Sequence, residues 1–115
     1  MNSGDQLFGT RAAVQIRYDG SLKKLTSKLS DELFHAAFHF ETDMDPPHVE
    51  FAMCEALGFE MWLNHSERTS GYNYELRMET CHCDPEIMSD RMLDISPWLA
   101  RYVREIGGID AVVSA

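Results

Sequence analysis

Apolar and polar residues alternate with period two on both sides of the polar connector SERTSG. In GFEMWLNH, Phe59, Met61 and Leu63 alternate with Glu60, Trp62 and Asn64. In YNYELRMETCHC, Tyr72, Tyr74, Leu76 and Met78 alternate with Asn73, Glu75, Arg77 and Glu79. Two such arms around a connector containing Gly71 predict an antiparallel hairpin, residues 59–65 against 72–81, with one buried face. A register follows: Leu63 opposite Tyr74, Met61 opposite Leu76, Phe59 opposite Met78, and Glu60 opposite Arg77 on the wet face. This pairing sets apolar against apolar and opposite charges against each other, whereas a slip by one residue would undo both.

The same reading extends to the rest of the chain. Ala13–Tyr18 places Val14, Ile16 and Tyr18 on one face with Gln15 and Arg17 on the other, which predicts a strand. Asp19-Gly20 is a turn signal. Ser21 can accept a hydrogen bond from an amide of the first helical turn, and Leu22, Leu25, Leu29 and Leu33 follow at helical spacing, so residues 21–32 read as an amphipathic helix. In LFHAAFHFETD, Phe34, Ala36, Phe38 and Phe40 share one face, which favours a strand over Phe34–Thr42 rather than a continued helix that would align His35 with His39. Asp45 before Pro46 has the chemistry of a helix start. Val49, Ala52, Met53, Ala56 and Leu57 would form the apolar side of that helix, and Gly58 its left-handed cap.

Beyond the hairpin, Asp84-Pro85-Glu86 repeats the helix-start chemistry ahead of a short, weakly periodic Ile87–Leu93. Ser96-Pro97 is a cleaner start, with Leu99, Tyr102, Val103 and Ile106 as the stripe and Gly107-Gly108 as the stop. The tail IDAVV reads as an edge strand or packed coil. The predicted order is β-α-β-α-β-β-α. It makes an α/β (α+β) two-layer sandwich: a roughly four-stranded mixed sheet, an antiparallel hairpin in the C-terminal half, and helices on one face. The first β-α-β unit would be parallel and right-handed.

Composition narrows the class. The 115 residues are 44% hydrophobic and 10% aromatic with no low-complexity run, so residues 1–115 fit one globular domain with a loose start over 1–10. No apolar run approaches the roughly 20 residues that span a bilayer. The first residues, MNSGDQLFGTRAAV, lack the basic-then-apolar order of a secretion signal. With 3 cysteines and no such signal, the expected compartment is reducing, hence cytoplasmic. Charge is more informative: 19 acids against 10 bases give a formal net charge of −9. That balance disfavours nucleic acid and anionic membranes, which repel a negative field, and is compatible either with a basic protein partner or with a simply solvated acidic face. No Lys or Arg occurs from Leu29 to Glu67, while Glu41, Asp43, Asp45, Glu50, Glu55, Glu60 and Glu67 fall within that span.

Candidate chemistry is sparse. Cys81-His82-Cys83 could present two thiolates on one side of a strand, but further zinc ligands would have to come from scattered His39, His48, Cys54 or His65, so no metal is expected. No Gly-x-Ser-x-Gly elbow frames a serine, and Gly107-Gly108 follows a helix instead of opening one, which excludes a phosphate loop. Asp45 suits capping better than acid–base work. No cofactor is implied. Trp62 falls on the hairpin face assigned to water, among Glu60, Glu75, Arg77 and Glu79, and large aromatics of this kind anchor protein interfaces. Glu41, Asp43, Asp45, Glu60, Trp62, Glu75, Arg77 and Glu79 are therefore the candidate partner-binding residues. The expected function is that of a small acidic binding protein, such as an immunity or inhibitor protein that neutralises a basic, toxin-like partner in a bacterial cytoplasm. A small enzyme or ligand-binding domain using the His and Cys residues is the alternative, and a structural subunit of a larger assembly is another.

Overall fold

Strand and helix periodicity divide the described chain, residues 9–56, 58–80 and 92–114 of a computed structural model, into seven strands and two helices. In order they are β1 (Gly9–Arg17), α1 (Leu22–Leu29), β2 (His39–Thr42), β3 (Glu50–Ala56), β4 (Phe59–His65), β5 (Tyr74–Thr80), β6 (Met92–Asp94), α2 (Ser96–Gly107) and β7 (Asp110–Val113). They form an α+β sandwich. The sheet runs β2-β3-β4-β5-β1, and the remaining edge of β1 is divided between two short strands. Gly9–Arg11 pairs parallel with β6, and Val14–Arg17 pairs antiparallel with β7. At the gap between them, the Ala13 amide donates to Ser96 Oγ at 2.9 Å and the Ser114 amide donates to the Ala13 carbonyl at 2.9 Å.

One face of the sheet holds the core. Val14, Leu76 and Leu63 lie side by side across β1, β5 and β4 and are fully buried. Ile16, Tyr74, Met61, Ala52 and Cys54 extend this surface. Both helices turn their apolar stripes to it. Ser21 caps α1 by accepting from the Lys24 amide at 3.2 Å, and Leu22, Leu25 and Leu29 point inward while Lys23 and Lys24 stay in solvent. In α2, with Pro97 in its first turn, Leu99, Ala100 and Val103 are buried, and Gly108 closes the helix at φ +63°. Ile106 falls off that stripe and is 59% exposed. Among the described residues no helix is long and apolar enough to cross a membrane.

Several expectations change. The sheet has seven strands instead of four, and its order is different. Residues 46–56 do not form a helix. Pro46 and Pro47 lie in a turn where the Asp45 carbonyl accepts from the His48 amide at 3.0 Å, and Glu50–Ala56 is strand β3. The run Phe51-Ala-Met-Cys is apolar on both faces because β3 lies inside the sheet between β2 and β4, and that continuous apolarity mimics a helical stripe. Gly58 has the predicted positive φ, +83°, but it turns a hairpin whose flanking pair is Ala56 and Phe59. Of the strand expected over Phe34–Thr42, only His39–Thr42 forms. Ahead of it the helix continues past Leu29 as a π turn, Ser30–Phe34, and Leu33, Phe34, Ala36 and Phe38 pack against the core. β1 and β2 are therefore not parallel neighbours. The parallel partner of β1 is β6, which occupies part of the segment expected to be helical to Leu93.

The hairpin forms with its register moved by two residues. Leu63 faces Leu76, Met61 faces Met78, Trp62 faces Arg77 and Glu60 faces Glu79. An even shift keeps every side chain on its predicted face. At the end of β5, Asn73 is held by β1 as well. The Asn73 amide donates to the Ile16 carbonyl at 3.0 Å. Its side chain accepts from the Tyr18 amide at 3.0 Å and donates to the Tyr18 carbonyl at 2.8 Å. Tyr72 is drawn off too, donating to Asp110 at 3.2 Å. The ladder with β4 starts at Tyr74 opposite His65, and one step beyond it the Ser66 amide donates to the Asn73 carbonyl at 3.0 Å in the same register. Cys81, His82, Cys83 and the Asp84-Pro85-Glu86 start lie outside the described residues.

Candidate protein-binding face

The sheet face away from the helices is built by the odd-numbered positions of β1, β2, β3 and β5 and the even-numbered positions of β4. Directly paired residues point the same way, so the ladders define cross-strand rows. One row is His39, Met53, Trp62, Arg77 and Ala13. Beside it runs Glu55, Glu60, Glu79 and Arg11, three adjacent carboxylates ending in a cation. On the other side of the Trp62 row, Glu41 pairs with Phe51, and Asn64, Glu75 and Gln15 line up across β4, β5 and β1. Across β2–β5 the only Arg or Lys is Arg77.

A concavity of about 630 Å³ opens on this face, with Val49, Phe51 and Trp62 as its apolar part and Asp43, Asn64, His65, Arg77 and Glu79 around them. Trp62 is half-buried, with Met53 and Arg77 as its directly opposed neighbours in the row. Arg77 approaches Glu79 at 3.8 Å with its own side chain largely in water, a geometry that binds it weakly. The surface is thus an apolar strip flanked by carboxylates that little internal cation compensates.

The predicted residues divide. Glu41, Glu60, Trp62, Arg77 and Glu79 share the face, and Asp43 lines its concavity. Asp45 sits in the β2–β3 turn, beyond the strands. Glu75, expected on the wet face, points the right way but is buried, with only 8% of its side chain exposed. Its Oε2 accepts from Gln15 Nε2 at 2.8 Å, from Ser114 Oγ at 3.1 Å and from Arg68 Nη1 at 3.4 Å. Gln15, also expected to be wet, is fully buried, and its Oε1 has no hydrogen-bond partner. Phe51, Met53 and Val49 were missed because their segment reads as a helix. Apolar residues on both faces of β3, with Ala52 and Cys54 buried on the inner one, leave no alternation in hydrophobicity that would have revealed them.

Among the described residues, titratable groups elsewhere do not assemble into a reactive centre. Burial, and then the Glu55 carboxylate, push the Cys54 thiol above its ordinary pKa, which disfavours the thiolate a nucleophile or metal ligand requires. Asp94, just ahead of α2, is held below the usual carboxylate range by hydrogen bonds from the Ser96 hydroxyl and amide. Among the described residues no three His, Cys, Asp or Glu side chains are grouped so as to hold a metal ion. Compared with known proteins, the chain matches no family model, no curated protein and no solved structure.

Proposed function

We propose that the protein is a small cytoplasmic binding module whose open sheet face docks a basic protein. One observation carries the reading: the Met53–Trp62 strip lies beside the Glu55–Glu60–Glu79 row, with Arg77 as the only cation across four strands. An apolar centre with a charged margin is the anatomy of an interface whose aromatic core slows dissociation while its margin steers approach. The acidic margin selects the partner, because a cationic surface gains where an anionic or neutral one does not. An inhibitor covering a cationic active site, as a toxin-neutralising immunity protein does, is the form of this function that the charge and the lack of a reactive centre among the described residues favour.

Differential capture from the native host tests it. The wild-type chain should retain a protein of high isoelectric point that is lost from Trp62→Ala and from the triple variant Glu55→Gln, Glu60→Gln, Glu79→Gln. With that protein in hand, the Gln variants should slow association and flatten its salt dependence, while Trp62→Ala should act on dissociation by about 2 kcal/mol or more. Capture of the same proteins by all three chains, or of an acidic partner, would refute the proposal.

A further inference from the structure

On the opposite side of the sheet, we propose a second site: a cleft that binds a small, neutral aromatic molecule of one or two rings bearing one hydrogen-bonding group. The cleft measures about 480 Å³, within the roughly 300–1,000 Å³ characteristic of small-molecule sites. It exists because the helices diverge. α1 lies against β3 and β4, whereas α2 lies against β1 and β7. They meet where Leu33 packs on Gly107, so closely that a Cβ there would come within 2.9 Å of Leu33 Cδ1. The Tyr102 hydroxyl ties the contact by donating to the Leu33 carbonyl at 2.6 Å. From that junction towards the start of α2, the helices leave Phe59, Met61 and Met78 of the sheet as the floor of an open wedge.

Two backbone features stand at its mouth. The π turn Ser30–Phe34 forms one wall, and His35 ends it in the left-handed region at φ +52°. Widened helical turns and non-glycine residues in that region both concentrate at ligand sites. The other wall is aromatic: Trp98 stacks on Tyr102 with ring centroids 5.3 Å apart and planes within 11°, and Phe34 tilts against Tyr102 at 6.2 Å. Trp98 nevertheless remains 50% exposed. Flat rings offer their best contact to a flat guest.

The polar atoms fix the rest of the ligand class. The Tyr102 hydroxyl proton is committed to the Leu33 carbonyl, so the side-chain donors left among the described lining are the His35 imidazole and the Trp98 indole N–H. The described lining contains no Asp, Glu, Lys or Arg. A charged guest would lose hydration and meet no counter-charge, and an anion would also face the chain's net charge of −9. A neutral guest carries neither penalty.

Indole is a suitable probe. Titrated into protein with isotope-labelled methionine methyl groups, it should produce saturable ring-current shifts at Met61 and Met78. Met53, on the opposite face, and Met44, in the β2–β3 turn, should not move. Trp98→Ala should weaken binding about tenfold, the loss of one stacked aromatic contact. Ala56→Phe, which places a ring in the cleft, should abolish binding. Shifts that do not saturate, that appear equally at Met44 and Met53, or that survive both substitutions in cooperatively melting variants overturn the proposal. Should Ala56→Phe fail to fold, Trp98→Ala at its half-exposed position decides alone. No result here bears on the opposite face.

Discussion

Replacing Glu75 with Ala should destabilise the protein by about 2–4 kcal/mol, whereas replacing its ion-pair partner Arg68 should cost about 1 kcal/mol or less. The two figures come from where the groups sit. Arg68 is 61% exposed and reaches Glu75 only at 3.4 Å, so its removal gives up a long, water-screened contact while Glu75 keeps its hydrogen bonds from Gln15 and Ser114. Gln15 is fully buried, and its Nε2 donates to Glu75 at 2.8 Å. Without Glu75 that amide group keeps only Ser114 Oγ, at 3.0 Å, while its Oε1 is already orphaned. A lost hydrogen bond to a charged acceptor contributes about 1.5–3 kcal/mol, and a donor left dry costs a similar amount. Against a total stability of about 5–15 kcal/mol for a domain, the change is readily measured.

Urea denaturation of the wild type, Glu75→Ala, Arg68→Ala and Gln15→Ala, with the Gln15–Glu75 double variant, completes the assay. The midpoint should fall at constant slope for Glu75→Ala. The double variant should show a coupling of about 0.5–3 kcal/mol, because the two residues share one network. If Glu75→Ala leaves the midpoint unchanged, or lowers it no more than Arg68→Ala does, Glu75 is not the buried centre described here.

Leu76→Ala should cost about 2–5 kcal/mol in the same assay, since Leu76 is fully buried between Val14 and Leu63 and its loss leaves a cavity. Asp94 has a folded pKa lowered by its bonds to Ser96, so its contribution is present above its unfolded value, about 3.9, and is lost as pH falls through the folded one. The stability gap between the wild type and Asp94→Ala should accordingly be constant at neutral pH and close on acidification below about pH 4. Cys54, buried and with its thiol pKa raised, should resist thiol reagents in a Cys81→Ser, Cys83→Ser background until the protein unfolds; rapid labelling of the native state would show it to be accessible.

How much of this was legible follows from how local each signal is. The β4 and β5 strands, α1 with its Ser21 cap, and α2 between Pro97 and Gly108 were readable because their periodicity and end chemistry lie within a few residues. β3 was not, because an interior strand with two apolar faces has no alternation in hydrophobicity to display. The division of the β1 edge between β6 and β7 could not be read either, since it depends on contacts such as Ala13 with Ser96 and Ser114 that are remote in sequence. Face membership in the hairpin survived the register error because the shift was even. Burial of Gln15 and Glu75 escaped because polar residues on an alternating strand signal water unless their partners are known. Of the apolar part of the candidate face, Val49, Phe51 and Met53 went with the misread segment around β3 and Trp62 alone was legible.

The register itself bears on function. Within the hairpin, pairing Glu60 with Arg77 would satisfy a charge pair on the outer face, and it keeps the same inner-face parity. The observed pairing sets Glu60 against Glu79, with Glu55 on the far side, and moves Arg77 opposite Trp62. Like charges directly opposite are destabilising by roughly 0.2–1 kcal/mol per pair, so this row works against the sheet. Asn73 and Tyr72 are bonded to β1 and β7 in this register, which leaves three acids adjacent where a neutral residue would relieve the repulsion. A cationic partner laid across the row would convert that repulsion into attraction, and its binding energy would include the relief. Neutralising Glu60 alone should then raise the stability of the free protein slightly while weakening the complex. That opposition of signs would not arise if the acids were only solvated surface.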